Sequence, residues 1–179
     1  MQSFAARTVT RGFKTFRPTL FKAGDAIPSG LPGLHENSPG NAVDIGKEVA
    51  KGKSIIIGVP AAFSPACSAS HVPGYVSHLQ ELKNKGIQQI FVTPVNDAFT
   101  TKAWSQSLNL PQGIRIIADS QGALAKAGDH LFDSEKVFGN KRSIRFAAIV
   151  QDGKVVQEFA EPDKIGLDVS SAENVLKHL

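Results

Sequence analysis

Hydrophobic positions divide the chain into short blocks of alternating character. Residues 54–59 (Ser-Ile-Ile-Ile-Gly-Val) are a nearly continuous apolar run, which predicts a strand covered on both faces. Val72, Tyr75, Val76, Leu79 and Leu82 follow at spacings of three and four and predict a long helix. Pro73-Gly74 should kink it, because Pro73 lacks an N–H and crowds the preceding turn, and Lys85-Gly86 should stop it. The pattern then predicts a strand at about residues 89–93, a helix at about 98–108, a strand at 114–118 and a short helix near 122–127. Residues 143–150 and 154–159 are β-rich and flank Gln151-Asp152-Gly153; Asp-Gly between two apolar runs signals a hairpin. Ser170 or Ser171 can cap a last helix running to Leu179. Ahead of the first strand, residues 23–40 are dense in Pro and Gly and read as an extended segment or loop. Residues 41–51 read as a short amphipathic or irregular stretch.

Strand, helix, parallel strand, helix, antiparallel hairpin and closing helix make an α/β chain with a central mixed sheet flanked by helices. A right-handed β-α-β unit joined to a hairpin is the layout of a thioredoxin-like fold. At 179 residues one domain is expected. No Gly-rich nucleotide signature or internal repeat is present, and no apolar run reaches the roughly 20 residues that cross a bilayer.

The net charge of +4 suggests a nucleic-acid partner until its location is considered. Arg7, Arg11, Lys14, Arg17 and Lys22 all precede the first acid, Asp25, leaving 15 basic residues against 16 acidic ones. The rest of the chain is therefore near −1, and no basic face is implied. The N-terminus is rich in Arg, Ser and Thr, with Phe4, Val9 and Phe13 at roughly helical spacing. These are features of a mitochondrial transit peptide. The expectation is a transit peptide over residues 1–16, a folded domain over 17–179, and a matrix location.

Cys67 is the only cysteine, so no disulfide forms within the chain, as suits a reducing compartment. It follows the carboxyl end of the first predicted buried strand, where open α/β sheets place their sites. Ser64 is a good N-cap and Pro65 a favoured first helical residue, which puts Cys67 at the third helical position. Its sulfur should face unpaired backbone N–H groups and the positive end of the helix dipole, both of which favour thiolate. Ser64 could also donate to the sulfur or to a bound oxygen.

Pro60, Ser64 and Cys67 resemble the Pro-x-x-x-Thr/Ser-x-x-Cys signature of the peroxiredoxins. Phe63, Pro65, Ser68, His71, Pro73, Gly74 and Tyr75 extend the match to the type-five (type II) subfamily. So do Val95-Asn96-Asp97-Ala98-Phe99, Lys102-Ala103-Trp104, Ile117-Ala118-Asp119, Phe138-Gly139-Asn140, Arg145-Phe146 and Glu161-Pro162-Asp163. The resemblance implies a thioredoxin-like fold and reduction of hydrogen peroxide, alkyl hydroperoxides and peroxynitrite without metal or organic cofactor. Cys67 would be the peroxidatic nucleophile, Ser64 (in place of the usual Thr) would orient the peroxide, and Pro60 would shield the thiolate. Arg145 would stabilise charge as the O–O bond breaks. Ala61 stands where the subfamily has Gly. Relatives' resolving cysteines correspond to Val92 and Val169, so the resemblance implies a one-cysteine cycle. An external thiol, glutathione with glutaredoxin or thioredoxin, would reduce the sulfenic acid. It also implies a homodimer, with no nucleic-acid or membrane partner.

Other readings are weaker. His71, four residues after Cys67, fits a structural hydrogen bond better than a general base. His71 and His78 lack a carboxylate at metal-site spacing. Arg142 is not on the site's strand face. Phe99 and Trp104 read as core or interface, with core the default. A Cys-x-x-Cys reductase is excluded, and a cysteine hydrolase lacks a recognisable distant His. The alternative to an enzyme is a peroxide sensor or chaperone-like binding protein using the same cysteine.

Overall fold

A computed structural model describes residues 21–179; the predicted transit peptide lies outside them. The elements are β1 (Leu34–His35), α1 (Ile45–Glu48), β2 (Lys53–Val59), a π-helical turn (Cys67–His71), α2 (Val72–Ser77), α3 (Leu79–Asn84) and β3 (Ile87–Pro94). They continue with α4 (Ala98–Ser107), β4 (Ile114–Ile116), β5 (Ala118–Asp119), α5 (Ala123–Ala127), β6 (Leu131–Phe132) and α6 (Glu135–Phe138). β7 (Arg142–Ser143), β8 (Phe146–Gln151), β9 (Lys154–Ala160) and α7 (Ala172–Leu176) complete the chain.

The main sheet has the order β4-β3-β2-β8-β9. β2, β3 and β4 are parallel, whereas β8 runs antiparallel to β2 and to β9. This is the thioredoxin-like mixed sheet expected from the order of the elements. β2 is central, and its side chains alternate between two cores. Ile55, Ile57 and Val59 pack with Cys67, Tyr75 of α2, Leu82 of α3, Trp104 of α4 and Val175 of α7. Ile56 packs on the other face with Ile45 of α1, Leu124 of α5 and Phe146. A strand with helices on both sides needs apolar residues at every position, which explains the unbroken run.

The β8–β9 hairpin turns at Asp152 (φ 49°) and Gly153 (φ 76°), the paired positive values of a type I′ turn. Ser171 caps α7 by accepting from the Asn174 N–H, and α7 ends at Leu176 rather than Leu179.

Three stretches depart from expectation. The long helix is divided in two ways. Before Pro73 the Val72 N–H reaches back five residues to the Cys67 carbonyl, the wider register of a π-turn. After Ser77 the chain breaks at His78, whose ring Nδ1 lies 2.9 Å from the Gly74 carbonyl. The predicted strand 143–150 splits into β7, which pairs with β6, and β8. Ile144 and Arg145 between them give their N–H groups to the carbonyls of His130 and Lys164. The strand 114–118 divides likewise, β5 pairing with β1. Trp104 is core, but Phe99 is 68 % exposed, because the Asp97 cap orients α4 with Ala98, Thr101 and Trp104 inward.

Candidate active site

The chain leaves β2 at Pro60 and begins a helical turn at residue 65, so Cys67 occupies the third helical position as predicted. Ser64 fills the capping position only through its backbone: its carbonyl accepts the Ser68 N–H (3.0 Å). Its hydroxyl turns back to donate to the Ala61 carbonyl (2.9 Å), so it neither caps the turn nor reaches the sulfur. Phe63 takes a left-handed φ of 60°, a strained value for a bulky residue. The Ala62 N–H donates to Asn96 Oδ1 (3.0 Å), tying the loop to the end of β3. Ala61 is not among the positive-φ residues, so alanine fits there without strain.

The Cys67 sulfur is fully buried. Among the described residues its hydrogen-bond donor is Arg145, with Nη1 at 3.4 Å. The expected contact with backbone N–H groups is not made, the nearby Ser68 N–H being engaged by Ser64. Arg145 reaches the sulfur because β7 and β8 are interrupted at its position. Its N–H donates to the Lys164 carbonyl (2.7 Å), its carbonyl accepts from the Glu161 N–H (3.0 Å), and Nε donates to the Ile165 carbonyl (3.2 Å). A fixed guanidinium 3.4 Å from sulfur favours negative charge there and on an oxygen leaving it.

His71 stands beside this pair. Its Nδ1 lies 3.1 Å from Arg145 Nη1 and its Nε2 3.1 Å from the Ser170 carbonyl. Burial, reinforced by the charge of Arg145, pushes its pKa down to about 3. Tyr75 Oη donates to the same Ser170 carbonyl (2.9 Å); burial pushes its pKa up. Glu161 Oε1 accepts from the Asp168 N–H (2.8 Å), the Ser170 N–H (2.9 Å) and the Ser170 hydroxyl (2.7 Å). Burial alone would raise the Glu161 pKa, but bonds from Ser170, Asp168 and Val169 outweigh it and hold the pKa below its ordinary value.

A cavity of ≈ 530 Å³ is bounded by Arg145, the residue that contacts the buried sulfur. Pro60, Ser64 and Arg145 line it, and Phe132, Phe138 and Ile165 contribute apolar wall. The four predicted site residues therefore converge. Arg142 stays apart: it donates to the Val95 carbonyl (2.7 Å) and lies over the Phe138 ring (5.0 Å). Val92 is buried in β3, and Val169 packs against the same core as Cys67. Sequence reasoning did not assign Glu161 and Ser170 to the site. Glu161 appeared only within a matching motif, and Ser170 only as a possible cap. Trp104 Nε1 donates to Ser68 Oγ (2.9 Å), bracing the turn from α4.

The Redoxin family model matches residues 22–176. The chain belongs to this family. Its relatives make it a peroxiredoxin, a thiol-dependent peroxidase. It is 44 % identical over 158 residues to peroxisomal membrane associated protein 20 of Schizosaccharomyces pombe, covering 86 % of this chain and 99 % of that one. With peroxiredoxin-2D of Arabidopsis thaliana the identity is 38 % over 162 residues, covering 87 % and 96 %. The structure of reduced Prx3 from Vibrio vulnificus in complex with hydrogen peroxide superposes with a TM-score of 0.81 at 32 % identity, covering 89 % of this chain and 96 % of that one.

Proposed function

We propose that this peroxiredoxin reduces hydrogen peroxide and alkyl hydroperoxides by a one-cysteine cycle. The observation that carries the reading is Arg145 Nη1 at 3.4 Å from the Cys67 sulfur, with Arg145 also lining the cavity. The Cys67 thiolate attacks the terminal peroxide oxygen and the O–O bond breaks. With one proton taken up, the products are Cys67 sulfenic acid and water or an alcohol. Arg145 stabilises the charge moving onto the departing oxygen, the Ser64 hydroxyl oxygen, its own proton given to Ala61, accepts from the peroxide O–H, and Pro60 keeps bulk water off the sulfur. The aromatic and aliphatic wall supports an alkyl substituent on the substrate.

Cys67 is the only cysteine in the chain, so an external thiol forms the mixed disulfide and a second thiol releases it. A cavity of ≈ 530 Å³ with a buried sulfur favours a small thiol, which makes glutathione with glutaredoxin our first choice and thioredoxin the second. Turnover of peroxide with each reductant supplied separately tests this. Cys67→Ser should abolish turnover with the fold intact. Wild-type protein that consumes one equivalent of peroxide and stops would instead be a sensor. Phe63, Val137 and Ile165, exposed by 53 %, 76 % and 55 % beside the site, support a homodimer packed there; a monomeric mass in solution overturns that. The basic segment before the family match supports a matrix location. A fluorescent fusion that stays outside mitochondria, or reaches them without residues 1–16, overturns it.

A further inference from the structure

We propose that His71 is a positioning residue, whose Nδ1 holds the Arg145 guanidinium over the Cys67 sulfur and which takes no part in proton transfer. The inference rests on the roles of Cys67 and Arg145 proposed above.

Hydrogen-bond chemistry fixes the state of the ring. Arginine has donors only, so Nδ1 must accept from Arg145; a carbonyl has no proton, so Nε2 must donate to Ser170. The ring is therefore the neutral Nε2–H tautomer. Arg145 Nη1 carries two hydrogens, and its two partners are the sulfur at 3.4 Å and Nδ1 at 3.1 Å. Anchoring one hydrogen on Nδ1 sets the rotation of the guanidinium and aims the other at sulfur. Among the described residues Nη2 makes no protein hydrogen bond, leaving it for substrate oxygen in the cavity that Arg145 lines.

The anchor is itself held. The Ser170 carbonyl that orients His71 belongs to a residue whose N–H and hydroxyl are both bound by Glu161, and the Glu161 N–H returns to the Arg145 carbonyl. A closed circuit of Arg145, His71, Ser170 and Glu161 thus surrounds the guanidinium. Both ring nitrogens are engaged within it, so a general base at this position would have no free lone pair.

Two substitutions separate the ends of the ring. His71→Asn puts an amide oxygen near the place of Nδ1, where it can accept from Arg145. His71→Gln reaches toward the place of Nε2 and Ser170, leaving Nη1 without that acceptor. The measurement is the single-turnover rate of Cys67 oxidation by hydrogen peroxide in pre-reduced protein. His71→Gln should be slower by about tenfold or more, the scale of loss when a reacting group is misaimed, and His71→Asn should recover most of that loss. A Gln variant as fast as wild type, or an Asn variant no faster than Gln, overturns the proposal. Nitrogen-15 NMR of the wild-type imidazole needs no variant: it should report bare Nδ1 and protonated Nε2 throughout about pH 5 to pH 8, the range where free histidine titrates. An Nδ1–H tautomer or a titrating ring overturns it as well. Wild-type protein that does not react with peroxide would overturn the underlying peroxidase reading; a reactive wild type with the reverse order of variants would overturn the role of His71 alone.

Discussion

At the scale of the residue, the site depends on one guanidinium making three separate contacts. Arg145 meets the Cys67 sulfur and His71 Nδ1 through the two hydrogens of Nη1, and the Ile165 carbonyl through Nε. Lysine would keep the charge but supplies a single ammonium on a flexible stem. Arg145→Lys should therefore lower the second-order rate of Cys67 oxidation by about 10²-fold, the order lost with one preorganised donor. Stopped-flow kinetics would measure this, and a rate within threefold of wild type would mean that charge alone suffices. The third helical position of Cys67 was legible because Ser64, Pro65 and Cys67 sit in one short string, whereas the role of Pro60 came through resemblance. Arg145 lies 78 positions away and was reached only through resemblance. The bond between His71 and Ser170 spans 99 positions; local patterning holds no trace of it, which is why His71 read as an unspecified structural histidine. The hydroxyl of Ser64 was misjudged because the tight turn offered it the closer acceptor, Ala61.

At the scale of the element, the readable parts were those whose geometry is set by their own residues. Asp152-Gly153 takes positive φ whatever packs nearby, and β2 shows its two cores in an unbroken apolar run. The break between β7 and β8 was not readable, since the apolar pattern of residues 143–150 continues through it. Bonds from Ile144 to His130 and from Arg145 to Lys164 make the interruption, and that interruption delivers Arg145 to the sulfur. Gly58 guards the same junction. It pairs with Phe146 across β2 and β8, and a Cβ at Gly58 would collide with the Phe146 ring and crowd Ser143 Oγ. Gly58→Ala should cost about 1–3 kcal/mol, the usual penalty of overpacking, and should slow Cys67 oxidation by displacing the residue next to Arg145. Denaturant unfolding supplies the first number; an unchanged midpoint would show that the Phe146 ring moves aside freely.

At the scale of the whole molecule, the circuit around Arg145 makes stability depend on pH. His71 is held neutral, with its pKa lowered from 6.5 to about 3. Between those values the unfolded chain binds a proton at this histidine and the folded chain does not, so the gap in protons favours folding more as pH rises. The contribution is fully present above about pH 6.5. As pH falls it declines by about 1.4 kcal/mol per unit until the folded state also protonates near pH 3. Glu161 acts in the same direction at lower pH. Its folded pKa is depressed, so its contribution is present above its unfolded pKa of 4.5 and is lost as pH falls through the depressed value. Acid should therefore weaken the fold well before carboxylates titrate. Urea unfolding at several pH values from neutral to 5 should show a steady fall in stability, with uptake of close to one extra proton on unfolding. His71→Asn has no titrating ring and should remove that proton from the slope while leaving the lower-pH limb of Glu161. A wild-type stability that stays level over this range, or an Asn variant with the wild-type slope, would show that His71 is not the group that couples the site to the fold.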